Sequence, residues 1–254
     1  MIGILDSGLG GLSTLSALRK LSPKTDLLFL ADQAHAPYGE RSEEELIDYF
    51  EKALAFFEKK KVTALLLACG TLSSVALPRL KTPPPFPIFE ATSPAADTAA
   101  RLSKKNVTVL ATTASIRSDV YANMLKARGV EEVTQLACPL FVPILEEGCR
   151  GDGEVARAVV RHTLSHMHKT PSAVVLLGCT HYGFLSPAIK DEWQKVSLVD
   201  SGALLAHHAL TCLPHEKGQG RTLLYTTGAP HTFLKKASAL LSLPHLTVYG
   251  AWER

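Results

Sequence analysis

The chain has 254 residues, of which 46% are hydrophobic and 20% charged, and a formal net charge of +3. That balance suits a globular protein; the charge is too small and too dispersed for a nucleic-acid binder, and no apolar run is long enough to span a membrane. Five scattered cysteines without a CxxC pair argue against a disulfide framework or a zinc cluster, and the opening has neither a basic n-region nor an apolar h-region, so a cytoplasmic protein is expected.

The first expected strand, Met1 to Leu5, runs into Asp6-Ser7-Gly8-Leu9-Gly10-Gly11-Leu12, with a helix from Ser13 or Thr14 to Leu21. This strand–glycine loop–helix resembles a phosphate cradle, but its spacing is neither GxGxxG nor GxxxxGK[ST]. A carboxylate such as Asp6 would repel phosphate and suits an ammonium group or a proton-transfer partner. A second strand, Asp26 to Ala31, ends at Asp32. The polar loop 33–39, with Pro37, Tyr38 and Gly39, follows it. Ser42 and Glu45 form a capping box for a helix to about Lys60.

Val62 to Ala68 reads as a third strand ending at Cys69-Gly70-Thr71, and 71–80 as a helix stopped by the prolines at 83–85, the clearest candidate boundary. Strands at 88–90, 107–111 and 132–136 alternate with helices at 93–103, 119–128 and 140–147. The hydroxyl-rich stretch Thr112 to Ser118 reads as a loop able to meet an anion. A long helix, 154–168, carries His162, His166 and His168, which lack the acidic or cysteine partners a metal site needs. Ala173 to Leu177 is a second apolar strand ending at Gly178-Cys179-Thr180-His181. A strand to about Gly202, a helix 203–212, a polar loop 215–220 and strands at 222–226 and 246–249 complete a parallel α/β pattern.

The two cysteine strands repeat one local plan: an apolar run, a cysteine, then a threonine before an expected helix start. In open α/β sheets, ligands bind beyond the carboxyl ends of the strands, so both thiols belong where chemistry is done. Placed on opposite faces of an amino acid, one thiolate can take the α-proton while the other thiol returns one, inverting the carbon without a cofactor. A helix N-terminus at each cysteine would lower its thiol from about 8.5 toward working pH.

Six segments carry a resemblance, in order along nearly the whole chain: residues 4–12, 37–39, 68–71, 112–121, 142–148 and 178–182, with late support from 199–202. The chain resembles the glutamate racemases, the cofactor-independent members of the aspartate/glutamate racemase superfamily. That resemblance implies two similar parallel-sheet α/β domains with the active site in the cleft between them, here 1–92 with 203–254, and 93–202. It implies Cys69 as the base acting on D-glutamate and Cys179 as the base acting on L-glutamate, assisted by Asp6, His181 and Glu146. Ser7, Pro37, Tyr38, Gly39, Gly70, Thr71, Ser115 and Thr180 would hold the substrate. It further implies no cofactor and no metal, a homodimer, and D-glutamate supplied for peptidoglycan.

Three departures stand out. Gly70 replaces the usual asparagine after the first cysteine, Gly183 stands where proline is frequent, and Thr227-Gly228-Ala229 where Ser-Gly-Asp is frequent. The first bears on substrate range, leaving open a racemase of another amino acid such as aspartate, or a glutamate-binding protein with little catalysis.

Overall fold

Short apolar runs with no polar alternation can be satisfied only when both faces are covered, and the computed structural model, which describes residues 1–38, 41–167, 170–214, 218–241 and 247–251, shows this for the two strands that lead into Cys69 and Cys179. β1 (Ile2–Asp6), β2 (Leu27–Ala31) and β3 (Ala64–Leu67) are buried along their whole length. With β4 (Ile88–Glu90), β9 (Thr222–Thr226) and β10 (Val248–Gly250) they form a parallel sheet in the order β10-β9-β2-β1-β3-β4. β5 (Asn106–Ala111), β6 (Glu132–Ala137), β7 (Val174–Leu177) and β8 (Ser197–Asp200) form a second parallel sheet, ordered β6-β5-β7-β8. The fold is therefore two parallel-sheet α/β units, and the strands at 222–250 return to the first.

Helices cover both faces of each sheet. On the first, Ile4, Phe29 and Leu66 pack against α1 (Leu12–Leu21), α9 (Ser201–Cys212) and α10 (Pro230–Leu240). Their neighbours Leu5, Leu28, Leu65 and Leu67 point the other way, onto Phe50 and Phe57 of α2 (Glu43–Lys59). On the second sheet, Val109 and Leu176 meet α3 (Thr92–Leu102) and α5 (Val120–Ala127), while Leu110, Val175 and Leu177 meet α6 (Phe141–Glu146), α7 (Glu154–Ser165) and α8 (Ser186–Glu192). No described helix is long and apolar enough to cross a membrane.

The capping box opens α2, with Ser42 N–H donating to Glu45 at 2.9 Å and Glu45 N–H to Ser42 Oγ at 3.2 Å. Other expectations give way. Residues 72–79 form not one α-helix but a π-helical turn, Leu72–Ala76, and a 3-10 turn, Leu77–Arg79. Pro78 has no N–H and its ring crowds the carbonyl four residues back, so Leu77 N–H reaches Leu72 O instead. The proline stretch joins β3 to β4, adjacent strands of one sheet, so it is a connection and not a boundary. Residues 113–117 are a short helix, α4 (Thr113–Arg117), because Thr112 Oγ1 caps it by accepting from Ser115 N–H at 3.3 Å. The 154–168 helix ends at Ser165, and His168 lies outside the described residues, as do residues 215–217 of the polar loop and Leu246 of the last strand. Helix α10, unforeseen in the sequence, starts on Pro230 and buries Phe233 and Ala237.

Candidate active site

Strand register brings the chemistry to matching edges. Asp6 ends β1 opposite Ala31. Asp32 and Ala68 then continue the ladder as their N–H groups donate to Asp6 O and Leu5 O at 3.0 and 2.9 Å. On the second sheet, Gly178 N–H donates to Leu110 O at 2.8 Å and Cys138 N–H to Ala111 O at 2.9 Å, which sets Cys179 just past the carboxyl end of β7.

Cys69 is 6% exposed. Its sulfur lies 4.0 Å from Ser7 Oγ and accepts from the N–H groups of Leu72 and Thr71, the start of the π-turn. Those donors favour the thiolate, but burial and the Asp6 carboxylate outweigh them, and the thiol is pushed up to about 12. The helix start is present as expected; its lowering effect is overridden. Asp6 itself, 1% exposed, is raised by burial, with the Glu146 charge adding and His181, the Gly8 N–H (2.8 Å) and Thr180 opposing.

Without ligand, alkylation of Cys69 by iodoacetamide, read by peptide mass mapping, should therefore accelerate about tenfold per pH unit between about pH 7 and 9, without levelling. A plateau inside that range contradicts the burial argument.

Cys179 is half-buried and sits at the N-cap of the 3-10 turn Thr180–Leu185. Its sulfur is 3.7 Å from His181 Nδ1, and His181 Nε2 is 2.7 Å from Glu146 Oε1. Burial works against a charged His181, yet its contacts to Cys179 and Glu146 prevail and raise it well above 6.5. Burial likewise pushes Glu146 up, but the His181 contact and the Leu9 N–H, donated at 2.7 Å, bring it below its ordinary value. The pair is thus an imidazolium and a carboxylate at neutral pH.

Residues 6–10 touch the surroundings of both thiols. Thr180 Oγ1 donates to Asp6 Oδ2 at 3.3 Å, so the turn after Cys179 touches the carboxylate that acts on Cys69. A Cβ on Gly8 would strike the Glu146 carboxylate, and one on Gly10 would strike His181 Nδ1 and Thr180 Oγ1. The glycine loop thus admits side chains from the second unit.

Of the expected substrate residues, Ser7, Thr71 and Thr180 gather here. Tyr38 is buried in one cluster with Cys69 and donates to Asp32 Oδ2 at 2.5 Å. Gly70 is half-buried, with nothing within 4 Å of where a Cβ would stand. Ser115 lies 3.0 Å from Thr112 Oγ1, and Pro37 is exposed; among the described residues no hydrogen bond joins either to the thiol set. Gly39 lies outside the described residues. Sequence reasoning missed Gln33, whose Nε2 is 3.5 Å from Glu146 Oε2, and Asp32, although Asp32 ends its apolar strand as Asp6 does.

The Asp/Glu/Hydantoin racemase family profile matches residues 13–209. The chain is 37% identical to the glutamate racemase of Sulfurihydrogenibium sp. (strain YO3AOP1), over 94% of this chain and 93% of that one. It is 40% identical to the glutamate racemase of Aquifex aeolicus (strain VF5), over 89% and 88%. Among solved structures it is similar to glutamate racemase from Thermus thermophilus in complex with beta-chloro-D-alanine, with a TM-score of 0.84, 36% identity and coverage of 98% and 95%.

Proposed function

The chain belongs to the Asp/Glu/Hydantoin racemase family and is an amino-acid racemase; on that premise we propose that it interconverts L- and D-glutamate by proton transfer between Cys69 and Cys179. The observation that supports this reading is that both cysteines lie at strand ends and that their surroundings touch: Cys179 lies 3.7 Å from His181 Nδ1, and the neighbouring Thr180 donates to Asp6, whose carboxylate acts on Cys69.

With D-glutamate bound, the Cys69 thiolate takes the Cα proton and the Cys179 thiol gives its own to the opposite face. With L-glutamate the roles exchange. The resting Cys69 is a thiol, so its proton must leave when substrate arrives. The substrate ammonium supplies the cation that burial withholds, and Asp6, whose carboxyl is raised, is placed to accept that proton. On the other side, His181 and Glu146 hold and exchange the proton of Cys179. Ser7, Pro37, Tyr38, Gly39, Gly70, Thr71, Ser115 and Thr180 hold the substrate.

The same reading takes residues 1–92 with 203–254 as one domain and 93–202 as the other, as the strand orders favour. It makes the protein a cytoplasmic homodimer needing no cofactor and supplying D-glutamate for peptidoglycan, in keeping with the relatives named glutamate racemase.

Its test is circular dichroism of L- and D-glutamate with purified protein and no added cofactor, expected to decay to zero from either side. Decay with aspartate alone would move the substrate, and glutamate binding without decay would leave a binding protein. Gly70→Asn refines the point. The position is open, and a hydrogen bond to a charged group is worth about 1.5–3 kcal/mol, so kcat/KM for glutamate should rise about ten- to a hundredfold. A fall would show that the space beside Cys69 is used by the substrate itself.

A further inference from the structure

Asp32 stands at the carboxyl end of β2, 4% exposed, outside the contacts that link the two thiols. A carboxylate with so little water needs donors in its place, and here there are three, two from the loop after β2 and one from the end of β9. Tyr38 donates to Oδ2 at 2.5 Å, Thr227 Oγ1 to Oδ1 at 2.6 Å, and His35 Nδ1 lies 2.8 and 2.9 Å from the two oxygens. Each donor is itself held. The His35 ring stacks on Tyr49 of α2 with centroids 4.0 Å apart, and its carbonyl accepts from Arg41 Nε at 2.9 Å. Thr227 follows β9, and its hydroxyl also accepts from Ala34 N–H at 3.0 Å.

A phenol has one proton and two lone-pair sites. The Tyr38 proton is committed to Asp32, so toward the site its oxygen can only accept. Tyr38 packs in one cluster with Cys69, and burial together with Asp32 pushes its phenol well up, Cys69 and Asp6 adding to the effect, so it stays neutral. An acceptor beside a thiol that must receive the α-proton of an amino acid fits the substrate ammonium.

We propose that Asp32 is a positioning residue that turns the Tyr38 hydroxyl so that its oxygen accepts a hydrogen bond from the substrate ammonium, with His35 and Thr227 fixing Asp32. The inference rests on the glutamate reading above. It also separates the roles of substrate groups: the carboxylates do not feel Asp32, and the ammonium does.

Glutarate has both carboxylates of glutamate and no ammonium, which makes it the probe. Glutamate kinetics and the competitive inhibition constant of glutarate are measured for the full-length wild type, Asp32→Asn, Tyr38→Phe and the double variant. Asp32→Asn and Tyr38→Phe should each raise KM for glutamate about tenfold, as expected for one lost hydrogen bond to a charged group, and leave glutarate inhibition unchanged. The double variant should be no worse than the poorer single variant, because both remove one arrangement. Equal loss of glutamate and glutarate binding, losses that multiply in the double variant, or wild-type KM in either single variant would overturn the proposal. If Asp32→Asn does not fold, Tyr38→Phe and Thr227→Val decide by the same pattern. Failure of the wild type to invert glutamate defeats the underlying reading and is seen before any variant is made.

Discussion

Cys69→Ala and Cys179→Ala should each lower kcat/KM for glutamate inversion by about a thousandfold, within the range that a placed acid or base supplies. The loss should be the same from L- and from D-glutamate. Mirror-image substrates have equal energy, so the equilibrium constant is one and kcat/KM must match in the two directions. Each thiol is base in one direction and acid in the other, and removing either therefore blocks both. Cys69 is buried beside Leu67 and Leu72, so its alanine variant leaves a small void, and circular dichroism of the backbone must show that the chain is folded. A folded variant of either cysteine that retains activity within about tenfold of wild type would contradict the roles given to the thiols.

Gly10→Ala is expected to reduce kcat by about a hundredfold, comparable to losing one acid–base partner. Its Cβ would overlap His181 Nδ1 and Thr180 Oγ1, both on buried side chains of a rigid turn. His181 faces Cys179 on that side and Glu146 on the other, and Glu146 accepts from Leu9, so displacement disturbs the proton partner of Cys179 and the contact between the units together. Steady-state kinetics beside a melting curve check it. Gly250→Ala, where a Cβ meets nothing within 4 Å, serves as the comparison and should leave kcat unchanged. Equal kcat in the two variants would mean that His181 can give way without loss.

The strands were legible because double-sided burial leaves a plain mark: Leu65-Leu66-Leu67 and Val174 to Leu177 admit little else. Cys69, Cys179, Asp6 and His181 could be marked from their place just after such runs, and Ser42 with Glu45 announced α2. What escaped depends on partners distant in sequence. Nothing near Gly8 or Gly10 says that Glu146 and His181 will press on them, so the loop read as a possible anion cradle. The helix start beside Cys69 was visible, but the burial and the Asp6 charge that overcome it are properties of the folded chain. Asp32 had the same local signal as Asp6, yet its importance lies in Tyr38, His35 and Thr227 converging on it. The α10 helix was missed because Phe233 and Ala237 offer only two buried positions in a short segment.

The most direct test of two thiols acting on opposite faces is the fate of the α-hydrogen. L-Glutamate is converted in deuterium oxide, the reaction is stopped early, and both enantiomers are separated and weighed by mass spectrometry. D-Glutamate should carry deuterium at Cα in every molecule, while the remaining L-glutamate carries none. Product that keeps its original hydrogen, or remaining substrate that exchanges as fast as it inverts, would mean that a single group serves both faces.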